Sequence, residues 1–191
     1  MTFAFIVDGI TEKKIVQALC PKAPVRMTML NGKDVAIPVL AKAAATLFRI
    51  YKDRYFPVML IADRESRNIS SEEMERALRA ALADEGISGE EMIVSCPDRM
   101  IENWMLADGA YLQAKFGSAS VMMTDGCNGK SEIKRLLREQ SIVYHETTVG
   151  VEIFQKICPH RIAQRSPSFA RFVRIASVYC AWMRRRKAIH R

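Results

Sequence analysis

Residues 3–16 have the sequence FAFIVDGITEKKIV, in which a short apolar run gives way to a polar segment at Asp8. The run contains aromatic and β-branched residues without alternation, a pattern typical of a strand buried on both faces. Asp8 and Gly9 end this strand, and Thr11 can cap a helix whose apolar residues recur at helical spacing until Pro21. The stretch therefore predicts a strand, a tight turn and a helix. In an open α/β sheet, such a turn lies at the carboxyl end of the strand, where ligands bind.

Three further segments predict strands: residues 25–30 (VRMTML), residues 57–63 (PVMLIAD) and residues 92–96 (MIVSC). The first of them closes at Asn31-Gly32, a strong turn dipeptide. Helical signals follow each strand, so that strands and helices alternate along the chain. This alternation predicts an α/β fold with a mostly parallel sheet flanked by helices.

Apolar spacing, caps and breakers mark the predicted helices. Ser70 and Glu73 form a capping box for a helix that should run to Glu85 and stop at Gly86. The other predicted helices cover residues 38–51, 100–116, 131–139, 150–158 and 166–187. The last one begins apolar and ends basic.

The chain has 191 residues, 49% of them hydrophobic, which is enough for one substantial core. We expect an α/β core over residues 1–116 and a helical basic extension over residues 117–191 that packs on it. No apolar run reaches the roughly 18 residues that cross a bilayer, and the N-terminus lacks the pattern of a secretory signal. These features exclude a membrane-spanning protein and predict a cytoplasmic one without membrane partners.

The five cysteines are widely spaced and never form a C-x-x-C pair. This spacing predicts neither a disulfide framework nor a zinc site. We expect reduced, mostly buried thiols at Cys20, Cys96, Cys127, Cys158 and Cys180.

The net charge of +8 is unevenly distributed. Residues 1–129 contain 15 basic and 17 acidic residues, whereas residues 130–191 contain 14 basic and 4 acidic ones. A basic excess confined to the last third favours a polyanionic partner, with nucleic acid ahead of acidic lipid. The candidate binding residues are Lys130, Lys134, Arg135, Arg184, Arg185, Arg186 and Lys187. The alternative is that these residues form solvated helix faces and a solvated helix end.

Acidic residues stand at equivalent places in the predicted sheet. Asp8 follows the first strand, Asp63 and Glu65 follow another, and Glu102 begins the helix after the next. Carboxylates that converge from neighbouring strand ends can bind Mg²⁺ or Mn²⁺, which prefer oxygen ligands. Because alternate residues of an extended segment face the same way, Asp63 and Glu65 can share one ion. The alternative for each residue is a local role in capping a helix, ending a strand or complementing a helix dipole.

At these residues the chain resembles the Toprim domain of type IA and type II topoisomerases, bacterial primases and related nucleases. The resemblance covers about residues 3–110 and rests on VDGITE and ADRE, which occupy the positions of the two acidic Toprim motifs. The chain is most similar to small Toprim-like proteins that look like partners of ATPases in bacterial defence systems. It shares with them DGITE, IENWMLAD and SPSFARF, in that order.

The resemblance implies that Asp63 and Glu65 hold Mg²⁺ or Mn²⁺. Glu102 either completes the acidic cluster or complements the dipole of its helix, and the sequence leaves both open. The resemblance also implies that Asp8 is a further ligand or the residue that transfers a proton. Glu12, one helical turn beyond Asp8, is a second candidate for that catalytic role, and the alternative is a solvated carboxylate at the start of the helix. Two positions depart from the Toprim pattern, since Asp8 stands in place of a Glu and Glu65 in place of an Asp. One side chain is a methylene shorter than in the family and the other a methylene longer.

Together these features predict a divalent-metal-dependent nuclease or nucleic-acid phosphotransfer domain that acts beside an ATPase in phage defence. Homo-oligomerisation is compatible with this prediction. Two alternatives remain open: a non-catalytic module that binds nucleic acid or protein, and a small-molecule phosphohydrolase, which would not need the basic third. Trp104 follows the apolar face of its helix and is predicted to be a core residue rather than a platform for stacking bases.

Overall fold

A computed structural model describes residues 2–30, 35–117 and 124–186. These residues contain a parallel sheet of four strands: β1 (Ala4–Val7), β2 (Val25–Met27), β3 (Val58–Ile61) and β4 (Met92–Ser95). The strand order is β2-β1-β3-β4, and all three neighbouring pairs run parallel. The predicted α/β class with a mostly parallel sheet is therefore confirmed. The turn predicted at Asn31-Gly32 lies outside the described residues.

Helices cover both faces of the sheet because its strands are apolar on both faces. Phe5 and Val7 point to the face that carries α1 (Ile10–Leu19). Ala4 and Ile6 point to the other face, which carries α2 (Ile37–Tyr51) and α3 (Ser71–Asp84). The capping box of α3 is confirmed, since the Glu73 amide donates to Ser70 Oγ at 3.1 Å and the Ser70 amide donates to Glu73 Oε2 at 2.7 Å.

The second half of the chain packs on the α1 face. Its helices are α4 (Glu102–Leu106), α5 (Gly109–Phe116), α6 (Gly129–Arg138), α7 (Val151–Lys156), α8 (Pro159–Arg165) and α9 (Pro167–Ala176). A π-helical turn (Glu146–Gly150) precedes α7, and a 3-10 turn (Ala181–Arg184) follows α9. Trp104, Phe169 and Phe172 belong to the same apolar cluster as Phe5 of the sheet. Among all the residues that the structure describes, no helix is long and apolar enough to cross a bilayer.

Two helix predictions are wrong. The single helix expected over residues 100–116 is divided between α4 and α5, because Asp108 caps α5 by accepting a hydrogen bond from the Tyr111 amide at 3.1 Å. The last helix ends at Ala176 instead of continuing through the basic run. Its predicted start is confirmed, since Ser166 Oγ accepts a hydrogen bond from the Phe169 amide at 3.3 Å.

The expectation of reduced cysteines is also wrong in part. Cys20 at the end of α1 and Cys180 form a disulfide, with their Cα atoms 5.9 Å apart. The two residues are separated by 160 positions in the chain, so local spacing carries no sign of the pairing. Cys96, Cys127 and Cys158 are free.

Candidate functional site

The site lies at the carboxyl edge of the sheet, between β1 and β3. The chain goes from β1 to β2 on one side of the sheet and then to β3 on the other side of β1. The connections after β1 and β3 therefore leave toward opposite faces and open a crevice, the usual ligand position in such sheets. Asp8 directly follows β1, and Asp63 comes two residues after the end of β3.

Four other carboxylates lie within electrostatic reach of Asp63 in this crevice. Burial raises the pKa of Asp63 well above its ordinary value, and the nearby carboxylates of Glu12, Glu102, Glu65 and Asp8 raise it further. Like charges have such an effect only at short range in a poorly solvated site. The acidic residues that the sequence analysis selected from three separate segments therefore lie within electrostatic reach of Asp63.

Glu12 is placed by the first turn of α1. Its Oε2 accepts a hydrogen bond from the Gly9 amide at 3.0 Å, and a Cβ atom at position 9 would lie 2.9 Å from that oxygen. Burial raises the pKa of Glu12 from 4.5 to about 7, and Glu102 and Asp8 contribute to the increase. The expected cap at Thr11 is wrong, since its hydroxyl instead donates to Glu146 Oε2 at 3.2 Å.

The carboxylate of Asp8 accepts a hydrogen bond from a threonine hydroxyl and lies within electrostatic reach of the Arg67 guanidinium. Thr28 Oγ1 donates to Asp8 Oδ1 at 2.9 Å. Burial raises the pKa of Asp8, and both this hydrogen bond and the charge of Arg67 oppose the increase. Arg67 in turn donates to the Asp63 carbonyl at 3.2 Å, which ties the loop after β3 to the site.

Glu65 does not continue the extended backbone of β3. It has a φ of 57° and stands in a turn, where its amide donates to the Arg99 carbonyl at 2.7 Å. The premise that Asp63 and Glu65 belong to one extended segment is therefore wrong. Glu65 still lies near enough to raise the pKa of Asp63.

Glu102 begins α4 and is 4% exposed. Tyr144 donates a hydrogen bond to Glu102 Oε1 at 3.2 Å. Burial raises the pKa of Glu102, Glu146 raises it further, and Lys130 and Tyr144 oppose the change. Sequence reasoning missed Tyr144 and Glu146, because no motif connects them with residues so distant along the chain.

Lys130 is the predicted basic residue that the structure brings to the acidic cluster. Its Nζ lies 2.5 Å from Glu146 Oε1. Burial acts to lower the pKa of Lys130, but the hydrogen bond and charge of Glu146, followed by the charges of Glu102 and Glu65, raise it overall. The ammonium group is therefore held in its charged form beside the carboxylates.

The other predicted basic residues lie elsewhere. Arg135 pairs with Glu132 at 3.1 Å and with Glu139 at 2.7 Å, which favours the alternative of a solvated helix face. Lys134 is exposed on the same helix. Arg184, Arg185 and Arg186 follow α9 at the end of the described chain, and Lys187 lies outside the described residues.

The donor set suits a hard cation, although the described residues do not enclose one. Asp63 Oδ1 is buried and accepts no hydrogen bond from any described residue. A buried carboxylate oxygen without a donor is costly unless it is protonated or neutralised by a cation. Within the described ranges, no three Asp, Glu, His or Cys side chains are grouped so as to hold a metal ion together. Mg²⁺ commonly takes only one or two protein carboxylates and completes its shell with water and phosphate, so the residues present fit such a partial site.

The motifs IENWMLAD and SPSFARF pack against each other behind the site. Trp104 is 2% exposed, donates to Ser168 Oγ at 3.0 Å and stacks on Phe172 with ring centroids 5.7 Å apart. The prediction that Trp104 is a core residue is confirmed. Arg171, in the second motif, pairs with the buried Glu75 of α3 at 3.1 Å.

Comparison with known proteins gives one match. No protein of curated function and no solved structure matches the chain. A domain family described as a domain of unknown function (DUF4276) matches residues 7–175. This range contains all five carboxylates of the site as well as Lys130 and Arg171. Because the match spans most of the 191 residues, the chain belongs to the DUF4276 family.

Proposed function

We propose that the chain is a divalent-metal-dependent nuclease or nucleic-acid phosphotransfer enzyme. The observation that carries the proposal is the convergence of five carboxylates at the switch point between β1 and β3, with Asp63 Oδ1 buried and lacking a donor. So many acidic side chains in one crevice repel each other, and a bound cation removes that cost. The resemblance to Toprim nucleases supports the same chemistry.

Asp63, together with Glu65 or Glu102, would hold Mg²⁺ or Mn²⁺, with phosphate and water as the remaining ligands. When bound, such an ion polarises a phosphodiester and stabilises the charge that develops on its oxygens. Asp63 supplies the buried oxygen that needs a positive partner, so we assign it the central role.

Glu12 is the residue best suited to carry a proton at neutral pH. Its raised pKa of about 7 lets the carboxyl group accept and release a proton near physiological pH. Asp8, which the Toprim resemblance favours, lies in the same crevice and is the second candidate. Lys130 lies within electrostatic reach of Glu102 and Glu65, where its ammonium group can hold a phosphate of the substrate.

The biological setting follows from the resemblance alone. The Toprim-like proteins that share DGITE, IENWMLAD and SPSFARF look like partners of ATPases in bacterial defence. We extend that role to this chain and propose that it acts beside an ATPase in phage defence.

Asp63→Asn tests the metal site. In a chelator at pH 8, this variant should melt at a higher temperature than the wild type, because it removes a carboxylate surrounded by four others. Each kcal/mol gained corresponds to about 2–4 °C for a chain of this size. With Mg²⁺ or Mn²⁺ the wild type should gain stability by mass action, and Asp63→Asn should not. Asp84→Asn is the matched control, since it makes the same chemical change at an exposed position of α3.

Cleavage of labelled single-stranded and duplex DNA and RNA tests the activity. The wild type should cleave at least one substrate with Mg²⁺ or Mn²⁺, and Asp63→Asn should lose about 100-fold or more of the rate. An equal metal response in wild type and Asp63→Asn contradicts the metal site. A normal metal response without cleavage of any substrate contradicts the enzymatic role and favours the non-catalytic binding module.

A further inference from the structure

A groove of about 420 Å³ lies between α8, α9 and the 3-10 turn. Four arginines line it: Arg174 from α9, and Arg184, Arg185 and Arg186 from the end of the described chain. None of its described lining residues is acidic. The groove is therefore a concentrated positive site in the basic third of the chain.

The path of the chain after α9 creates the groove. The helix ends at Ala176, Cys180 is bonded to Cys20, and Met183 is 7% exposed. The 3-10 turn contacts α8, so the arginines that follow lie against α8 and α9. The alternative of a solvated helix end does not describe this arrangement.

The arginines of the groove have unused hydrogen-bonding capacity. Within the described residues, none of the four forms an ion pair with a carboxylate, in contrast to Arg135, Arg161 and Arg171. Arg185 Nη1 donates to the Gln155 carbonyl at 3.0 Å, whereas its Nη2 is buried without an acceptor in the described chain. The exposed guanidinium groups of Arg174, Arg184 and Arg186 are the ones that can donate charge-assisted hydrogen bonds to an anionic oxygen in the groove.

The remaining lining of the groove is largely apolar. Pro159, Ala163, Val173 and Met183 contribute to it beside the arginines. Single-stranded nucleic acids bind in positively charged grooves that follow their phosphates. The volume lies within the range of about 300–1,000 Å³ that is usual for ligand sites.

We infer that this groove binds the phosphates of a single-stranded nucleic acid. The inference rests on the proposed function only for the choice of nucleic acid as the ligand. The groove uses none of the carboxylates of the crevice, so binding and cleavage are separable.

The test measures binding of a fluorescently labelled oligo-dT strand by anisotropy in a chelator, where no metal-dependent cleavage takes place. The double variant Arg174→Gln/Arg184→Gln removes two exposed charges of the groove. The control Lys42→Gln/Arg76→Gln removes two exposed charges from α2 and α3 on the opposite face of the sheet. Both variants have the same net charge, so any difference between them depends on position.

We expect the groove variant to bind at least 10-fold more weakly and the control to stay within 2-fold of the wild type. The slope of log affinity against log salt should fall by about 1.4 in the groove variant, since each phosphate contact on a single strand contributes about 0.7. Equal weakening in the two double variants would overturn the inference, because the effect would then reflect net charge alone.

Competitors distinguish the sources of the phosphate. Competitor concentrations are counted as phosphate groups. On that scale, unlabelled oligo-dT should displace the labelled strand at a lower concentration than a duplex or inorganic pyrophosphate. Equal competition by pyrophosphate would overturn the assignment of a single strand. Because binding is measured in a chelator, failure of the proposed metal chemistry leaves this measurement intact.

Discussion

Glu12 should make the stability of the folded protein depend on pH. Its folded-state pKa is raised from 4.5 to about 7, chiefly by burial. Between these two pH values the folded protein binds more protons than the unfolded chain. Without metal, the contribution of Glu12 to stability should therefore be greatest below pH 4.5 and should decline as the pH rises from 4.5 through about 7. Asp8, Asp63 and Glu102 have raised pKa values as well and act in the same direction.

Glu12→Gln should flatten that decline. The amide oxygen of Gln can still accept the hydrogen bond from the Gly9 amide, so the cap of α1 is retained. In a chelator, wild type should lose up to about 3 kcal/mol of unfolding free energy to this group between pH 4.5 and 7, and the variant should lose less. Urea unfolding at several pH values measures the difference, with exposed Glu72→Gln as the control. Parallel pH profiles for wild type and Glu12→Gln would contradict the raised pKa.

The residues of the crevice differ in how far the sequence predicts them. Asp8 and Asp63 follow apolar strands and Glu102 begins a helix after one, so the shared edge of a parallel sheet predicts that they meet. Tyr144 lies 42 positions from Glu102 and belongs to no strand or motif, so its hydrogen bond depends on tertiary packing. The turn at Glu65, with its positive φ, has no local signal such as a glycine.

At the scale of elements, Asp108 joins the corner between α4 and α5 to the start of α8. It caps α5 through the Tyr111 amide and is fully buried. Its carboxylate also accepts from Arg161 Nε at 2.6 Å, from Arg161 Nη2 at 2.8 Å and from the Cys158 amide at 2.7 Å. One side chain thus links the α4–α5 corner with the start of α8.

Asp108→Ala should lower the free energy of unfolding by about 3–5 kcal/mol, because it leaves Arg161 and the Cys158 amide without their acceptor. Arg161→Lys should have a smaller effect, since it keeps the charge but loses the two-bond geometry. Chemical denaturation measures both variants, and exposed Asp84→Ala serves as the control. A loss below 1 kcal/mol for Asp108→Ala would show that this junction contributes little to stability.

The same junction explains why one predicted helix is two. The apolar spacing of residues 100–116 is continuous across Asp108, so periodicity alone favours one helix. The capping bond from the Tyr111 amide is local, whereas the other partners that fix the Asp108 carboxylate, Arg161 and Cys158, are about 50 residues away. The elements of the sheet are predicted better, since buried strands and the Ser70 capping box carry strong local signals.

At the scale of the whole molecule, the disulfide joins the first helix to the last part of the described chain. A cross-link that closes a loop of about 160 residues can stabilise the folded state by up to about 5 kcal/mol through the entropy of the unfolded chain. A reductant should therefore lower the melting temperature of the wild type. Cys20→Ser/Cys180→Ser should melt at that lower temperature with or without reductant, whereas Cys127→Ser should keep the sensitivity of the wild type. An unchanged melting temperature of the wild type in reductant would contradict the disulfide.

The bond has a further consequence for the covalent form of the molecule. Residues 20–180 form a covalent ring that is closed by the bond between the two half-cystines. A protease that cuts the backbone once anywhere inside the ring opens it without dividing the molecule. Such a product should migrate as one species on a denaturing gel without reductant and as two fragments after reduction.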